Sequence, residues 1–137
     1  MIEKITIATR DHNELINITD RVKEIVSQSN IKNGLAVIFI PHTTASLAIN
    51  ENEPGLVSDI KKTIRLISTA ARISGGFEHD KIDHNAAAHI GATLLEPSIS
   101  LIIEAGNLVL GTWQQIFFIE FDGPKTSREI FIKIISD

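Results

Sequence analysis

The histidines are the residues of this sequence that could do metal or acid–base chemistry. The chain has five of them and no cysteine, so imidazole and carboxylate are the strong ligands that it can offer to a transition metal. His84 and His89 are five positions apart, and on one helix they would point about 140° away from each other. A metal site would instead need His89 from a helix, His42 from the end of a strand and a third group from a loop, for which His79 is the best candidate. Three imidazoles with one open coordination position are typical of a catalytic zinc site.

A polar run directly follows an apolar segment that predicts a buried strand. GLAVIFI, residues 34–40, leads into HTTASLAINENE, residues 42–53. Polar groups are costly to bury without partners, whereas at the edge of a core they line binding sites. Two interpretations follow: the run is one wall of a binding site that includes His42, or it is a solvent-exposed loop with ordinary capping.

The segment GTWQQIFFIEFDGP, residues 111–124, alternates its side chains between the two faces of a predicted strand. Core packing is the simplest interpretation of Trp113, but a glutamine between apolar neighbours, Gln114, needs a hydrogen-bond partner. Beyond the DGP turn, Lys125 and Arg128 are the local candidates for holding an anion such as phosphate. The alternative for both cations is a charged rim on a hairpin.

Hydrophobic periodicity predicts the elements that must position these residues. Strands are expected from Ile2 onward and at residues 15–18, 35–40, 99–104, 107–121 and 129–135. Helices are expected at residues 19–29, 57–67 and 85–95, the first of them capped by Thr19. A long loop from Ser68 to Asp83 separates the last two helices. The partial segregation of strands and helices indicates an α+β fold with a large mixed, mostly antiparallel sheet or sandwich, in a single domain of residues 1–137.

Composition excludes several classes of protein. The chain of 137 residues has a net charge of −4 and a pI near 5.7, which gives no overall attraction to nucleic acid or anionic lipid. The first residues alternate apolar and charged side chains, unlike a signal peptide, and no apolar run approaches the roughly 20 residues of a membrane span. We expect a cytoplasmic protein that acts on a small molecule, without nucleic-acid or membrane partners.

Five motifs, in this order along the chain, resemble the YjbQ family, whose members are commonly described as secondary thiamine-phosphate synthases. They are HTTASLAINEN (42–52), the histidine of FEHD (His79), NAAAH (85–89), LGTWQQI (110–116) and EFDGP (120–124). The resemblance covers nearly the whole chain, and HTTAS and GTWQ are distinctive strings. The sequence is therefore identified as a member of this family.

The resemblance implies an α+β homotrimer with a polar site that binds a divalent metal ion, zinc or magnesium. It implies His42, His79 and His89 as metal-binding residues, and His42, His89 and Gln114 as catalytic residues. The residues implied to bind substrate are Ser46, Asn50, Asn85, Thr112, Trp113 and Lys125. The implied reaction joins hydroxymethylpyrimidine pyrophosphate to a thiazole phosphate and releases pyrophosphate.

The sequence departs from the family pattern at two positions. Ala87 stands where members often have aspartate, and Lys125 stands where arginine often follows DGP. Loss of the carboxylate removes a possible partner for a metal ligand, and lysine lacks the bidentate phosphate recognition of arginine. Two other functions stay open: a zinc-dependent hydrolase of an ester, amide or phosphoester, and a non-catalytic module that binds a metal ion or a small ligand.

Overall fold

The computed structural model describes residues 1–70 and 75–137. These residues contain eight strands and three helices. The strands are β1 (Ile2–Thr9), β2 (Glu14–Asn17), β3 (Gly34–Phe39), β4 (Ala45–Glu51), β5 (Ser98–Glu104), β6 (Asn107–Leu108), β7 (Gln114–Glu120) and β8 (Lys125–Ser136). The helices are α1 (Thr19–Gln28), α2 (Pro54–Thr69) and α3 (Ala86–Thr93), and a 3₁₀ turn spans His79–Lys81. The loop predicted from Ser68 to Asp83 falls partly on residues 71–74, which lie outside the described residues.

The strands form two antiparallel sheets. The five-stranded sheet has the order β1-β8-β3-β5-β6, and the three-stranded sheet has the order β2-β7-β4. Every pairing between the described strands is antiparallel. The predicted α+β class is confirmed. The sheet was expected to be mixed and mostly antiparallel, and the described strands form no parallel pair. Within the same residues, no helix combines the length and the apolar character needed to cross a membrane.

Strand β7 is buried on both faces, which explains its nearly continuous apolar sequence. Phe118 packs in the main core cluster together with Ile38 of β3 and Ile132 of β8. Phe117 points the other way and packs in a second cluster with Ala88 of α3. The partly buried Ile64 of α2 packs against this cluster. The predicted alternation along this strand is confirmed. Helices α2 and α3 therefore cover the face of the three-stranded sheet that is turned away from the five-stranded sheet.

The strand predicted over residues 107–121 is interrupted in the structure. Strand β6 ends at Leu108 and β7 begins only at Gln114, because the intervening segment turns and is closed by a hydrogen bond from the Gly111 N–H to the Gln114 Oε1 (2.8 Å). The glutamine that needed a partner thus has a local one. The core interpretation of Trp113 is wrong, since its side chain lies in the turn and is 70% exposed.

The polar run after β3 forms a strand. Residues 45–51 form β4, which pairs with β7, so the interpretation of this stretch as a loop is wrong. Helix α1 begins at Thr19 instead of being capped by it: the Asn17 side chain accepts hydrogen bonds from the Thr19 N–H (3.0 Å) and from its hydroxyl (2.6 Å). Asn17, two residues upstream, therefore provides the side-chain cap that was predicted for Thr19.

Candidate functional site

The register of β4 and β7 divides the predicted site residues into two groups. Ala45 pairs with Glu120 at one end of this ladder, and Glu51 pairs with Gln114 at the other. The two ends are six residue steps apart along the strand, a distance of roughly 20 Å. The end near Ala45, here called the histidine end, holds His42, Ser46, His79, Asn85, His89 and Lys125. The opposite end, here called the tryptophan end, holds Asn50, Thr112, Trp113 and Gln114.

The histidine end brings two of the predicted metal ligands into direct contact. The rings of His79 and His89 lie with centroids 4.9 Å apart and planes at 82°. His89 comes from α3, and His79 from the 3₁₀ turn that precedes this helix. The turn is held against the helix because the Asp80 carboxylate accepts a hydrogen bond from the Ala86 N–H (3.0 Å). This carboxylate serves the first turn of α3, whereas His84 is exposed with a backbone φ of +57°.

A chain of polar contacts orients the His79 ring. Its Nε2 lies 3.0 Å from the Asn85 Oδ1, and the Asn85 amide donates to the Asp122 Oδ2 (3.2 Å). The Lys125 ammonium lies 3.4 Å from the same carboxylate oxygen. Because a carboxylate only accepts hydrogen bonds, the amide nitrogen of Asn85 faces Asp122 and its oxygen faces His79. The Asn85 oxygen can only accept, so in this contact the donor is the Nε2–H of His79.

His42 is tied to strand β8. Its Nε2 lies 3.0 Å from both the N–H and the carbonyl oxygen of Glu129, just beyond the last β3–β8 pair, Phe39 with Phe131. One ring nitrogen either accepts from the N–H or donates to the carbonyl oxygen, so the imidazole satisfies one of these two backbone groups at the point where β3 leaves the sheet. Burial, and next the guanidinium of Arg128, lower the pKa of His42 below its ordinary value, so the ring is neutral at pH 7.

His42 and His89 face a common depression. It has a volume of about 550 Å³ and is also lined by Thr43, Ala92, Thr93 and Glu96, among others. Pockets of this size accommodate small ligands. Ser46, which was predicted to bind substrate, is 1% exposed and donates its hydroxyl hydrogen to the Ala92 carbonyl (2.7 Å). Its visible role is to join β4 to α3 behind this depression.

The spacing of His79 and His89 suits a shared metal ion, but the described residues around them lack a third ligand. Two imidazoles on one tetrahedral zinc ion, with Zn–N bonds of about 2.0–2.1 Å, have ring centroids about 5 Å apart. The 4.9 Å between His79 and His89 fits that value. Among the described residues, however, no group of three or more histidine, aspartate or glutamate side chains could hold an ion. The described residues thus bring two imidazole rings together, and a three-ligand metal site would require a side-chain rotation or a residue of another subunit.

A buried ion pair lies beneath the histidine end. Glu120 is 0% exposed and Arg128 is 7% exposed; the guanidinium donates to both carboxylate oxygens, from Nε (2.9 Å) and from Nη2. The Thr9 hydroxyl donates to Glu120 (2.8 Å), and the Thr44 hydroxyl accepts from Arg128 (2.9 Å). The prediction that Arg128 holds a ligand anion is therefore wrong, because the guanidinium is buried and its Nε and Nη2 donors are used by Glu120 and Thr44.

Sequence reasoning missed Glu120, although a signal was present. The alternation along β7 places Glu120 on the same face as Ile116 and Phe118, and a carboxylate on a buried face requires a charged partner. Arg128 was available eight positions later. Asp80 and Asp122 were missed as well, and nothing in the spacing distinguishes them from surface carboxylates.

The tryptophan end is open to solvent. Asn50, Thr112, Trp113 and Gln114 are all exposed. The Asn50 side chain accepts a hydrogen bond from the Glu51 N–H (2.8 Å), and Gln114 closes the turn before β7. These contacts stabilise local structure and leave the Trp113 ring uncovered by the described residues of its own chain.

Comparison with known proteins accounts for this arrangement of motifs. Residues 3–137 match the sequence profile of the family described as UPF0047 protein YjbQ-like. The chain belongs to this family. The YjbQ-like chain is 43% identical over 127 residues to a UPF0047 protein of Archaeoglobus fulgidus, which covers 93% of this chain and 96% of that protein. It is 37% identical over 139 residues to the UPF0047 protein YugU of Bacillus subtilis, covering 98% and 99% of the two chains.

Solved structures of YjbQ-like proteins have the same fold. A YbjQ-like protein of unknown function from Sulfolobus solfataricus P2 superposes with a TM-score of 0.94 at 41% identity, covering 100% of this chain and 97% of the other. A hypothetical protein from Aeropyrum pernix K1 gives a TM-score of 0.92 at 36% identity, covering 100% and 99%. Family membership thus fixes the fold of this chain and leaves its reaction to be inferred from the site.

Proposed function

We propose that this protein is a metal-dependent homotrimeric enzyme that acts like the secondary thiamine-phosphate synthases its motifs resemble. It would join hydroxymethylpyrimidine pyrophosphate to a thiazole phosphate and release pyrophosphate. The observation that carries the proposal is the contact between His79 and His89, with ring centroids 4.9 Å apart. This spacing suits two ligands of one ion, and the hydrogen bond of His79 to Asn85 resembles the support that metal-bound histidines usually have.

The proposed reaction makes limited demands on the protein. A carbon–oxygen bond to pyrophosphate breaks and a carbon–nitrogen bond to the thiazole forms, so the site has to orient two rings and stabilise a leaving anion. A divalent ion, zinc or magnesium, at His79 and His89, with His42 as a third ligand, would supply positive charge for that anion. Lys125 adds a cation at the same end, 41% exposed in its side chain and next to Asp122.

Association of subunits is the second part of the proposal. The outer face of the five-stranded sheet exposes Leu35, Phe39, Ile102 and Ile135 by 41%, 43%, 59% and 45%. Leu35 is the cross-strand partner of both Ile102 and Ile135, so these three side chains form a continuous apolar patch, with Phe39 four residues further along β3. A patch of this kind on a water-exposed sheet favours a protein–protein contact. In a trimer, the tryptophan end of one subunit could complete the histidine end of the next, which lies about 20 Å away within one chain.

The first experiment measures metal content and activity together. Protein purified without a histidine tag would be analysed for bound zinc and magnesium and assayed with the two substrates. We expect about one ion per subunit, and we expect His89→Ala to lose the ion and to lower the rate at least 100-fold, a typical effect of removing one transition-state contact. His84→Asn is the matched control, because His84 is exposed and asparagine tolerates its positive φ.

Three outcomes would count against parts of this proposal. A rate unchanged in His89→Ala would exclude the histidine end as the site, and absence of product with every divalent ion would exclude the reaction. Metal-free protein that is stable in chelator would favour a non-catalytic module. Zinc-dependent turnover of esters or phosphoesters, without thiamine phosphate formation, would favour a zinc hydrolase, which the neutral His42 facing the open depression could also serve.

The subunit proposal has its own test. Light scattering after size-exclusion chromatography should give the mass of three chains. Ile102→Glu should reduce that mass, because it buries a charge in the proposed contact. Leu66→Glu on α2, at a side chain that is 72% exposed, is the control and should leave the mass unchanged. A monomeric wild-type protein would contradict the trimer without bearing on metal binding.

A further inference from the structure

A second cavity lies on the other side of α3 from the histidine depression. It has a volume of about 330 Å³ and is enclosed by α2, α3 and the three-stranded sheet. Its lining includes Ala87 and Ala88 of α3, whereas the histidine depression is lined by His89, Ala92 and Thr93 of the same helix. On a helical projection the two sets point in different directions, so α3 separates the two spaces.

The cavity has an apolar floor. Leu15 of β2, Ile119 of β7 and Ile64 of α2 line it together with Phe121. Ile119 and Phe121 are 2% and 6% exposed, which places them at the bottom of the space. A floor of branched aliphatic side chains and one aromatic ring favours a flat apolar body, and burial of that body would stabilise binding by about 25 cal/mol per Å².

Two cations from α2 also line the cavity. Lys61 and Arg65 are one helical turn apart and both face it. Neither side chain has an ion-pair or hydrogen-bond partner among the described residues, unlike the neighbouring Lys62, whose Nζ lies 3.9 Å from Asp59. Two unpaired cations beside an apolar floor predict an anionic headgroup at this edge of the cavity.

The other titratable groups of the cavity do not cancel this charge. Glu120 is the one lining carboxylate among the described residues, and it is 0% exposed and bound by Arg128 and Thr9. His12 also lines the cavity, and its Nδ1 is 3.3 Å from the Gly123 carbonyl oxygen. The charge that a ligand would meet is therefore positive.

We propose that this cavity binds a small amphipathic anion, with a flat apolar body on Leu15, Ile64 and Ile119 and its negative group between Lys61 and Arg65. The site differs in position and in chemistry from the proposed metal site, and it does not depend on the function proposed above. A cavity of about 330 Å³ is at the lower end of the range for ligand pockets, which limits the ligand to a compact one.

The probe for this site is 8-anilinonaphthalene-1-sulfonate, an aromatic body that carries one sulfonate. Titration of the full chain should give saturable fluorescence with one probe per subunit. The double variant Lys61→Gln/Arg65→Gln should weaken binding at least tenfold, while Lys62→Gln, the control on the same helix, should leave it within twofold. The uncharged N-phenyl-1-naphthylamine should bind equally to the wild type and the double variant, because it does not use the cations.

A cavity-filling variant and a histidine variant locate the bound probe. Ala87→Leu should weaken both probes, since leucine at this partly exposed helical position occupies part of the space. His89→Ala should leave both affinities unchanged, which separates this site from the proposed metal site. The inference is overturned by the absence of saturable binding, by equal losses in Lys62→Gln and the double variant, or by unchanged binding in both the double variant and Ala87→Leu.

Discussion

Removal of the arginine from the buried Glu120–Arg128 pair should be among the most damaging single changes in this chain. Arg128→Met keeps the length and apolar stem of the side chain but leaves the Glu120 carboxylate, which is 0% exposed, with the Thr9 hydroxyl as its remaining donor. Breaking a buried pair in this way costs about 3–5 kcal/mol, because an unpaired charge stays in the core. The Thr44 hydroxyl also loses its hydrogen bond from the guanidinium.

This loss of unfolding free energy corresponds to a decrease in the melting temperature. A chain of 137 residues has an unfolding entropy of about 0.29 kcal/mol/K at its midpoint, so a loss of about 4 kcal/mol lowers Tm by about 14 °C. Calorimetry and urea unfolding at one fixed protein concentration would measure it, because association of subunits makes stability depend on concentration. Lys4→Met is the control: it removes an ion pair with Glu129 (2.8 Å) whose side chains are 50% and 40% exposed, and it should cost at most about 1 kcal/mol.

A double-mutant cycle distinguishes the lost pair from simple loss of packing. Glu120→Gln/Arg128→Met removes both charges, so the double variant should be at least about 2 kcal/mol more stable than the sum of the single losses predicts. Additive losses, or an Arg128→Met variant no less stable than Lys4→Met, would refute the conclusion that the pair is buried and mutually dependent.

Two further predictions concern His42 and Gly34. The pKa of His42 is lowered below its ordinary value of 6.5, by burial and then by Arg128, so as pH falls through 6.5 the unfolded chain takes up the proton first and this contribution to stability decreases. An NMR titration of His42 should give a midpoint below 6.5, and a midpoint at or above 6.5 would contradict the lowered pKa. In His42→Gln, the free energy of unfolding should change less steeply with pH than in the wild type. Gly34→Ala should cost about 3 kcal/mol in urea unfolding, because a Cβ atom there would lie 2.0 Å from the Ile135 carbonyl oxygen at a φ of +150°. Gly55→Ala, where the nearest atoms belong to the movable Glu53 carboxylate (3.1 Å), should change stability by less than about 1 kcal/mol, and equal effects of the two substitutions would exclude a backbone clash.

The fold was predictable from the sequence where periodicity was strong. The alternation of residues 114–120 and the helical spacing in residues 57–67 gave the right elements, because each reflects burial of a face against the core. The polar run at 45–51 was not recognised as a strand. Burial does not alternate along β4, because its first three residues are all buried. This strand lies at the edge of the three-stranded sheet.

The candidate site was predictable in its residue types but not in its geometry. Nothing in the spacing of Trp113 and His42 shows that a strand register places them at opposite ends of one ladder. The turn between β6 and β7 is closed by two hydrogen bonds, from the Gly111 N–H to the Gln114 side chain and from the Gln114 N–H to the Gly111 carbonyl oxygen, and the first is a side-chain interaction that propensity does not register. The contact of His79 with His89 depends on the path of a loop, and loops carry little periodic information.

His42, His79 and His89 differ in whether the contacts of the folded chain already explain their presence. That difference decides which of them is suitable for a test of function. His42 makes a hydrogen bond to the backbone of Glu129 where β3 leaves the sheet, so folding gives a sufficient reason for its presence, and its removal would mix a loss of stability with any loss of activity. The Ser46 hydroxyl is likewise explained by its bond to Ala92. His79 and His89 are both half-buried, and their ring contact satisfies no backbone group. The start of α3 is already served by Asp80. A variant at His89 therefore breaks no side-chain hydrogen bond among the described residues, and its effect on metal content and turnover can be read as a property of the site.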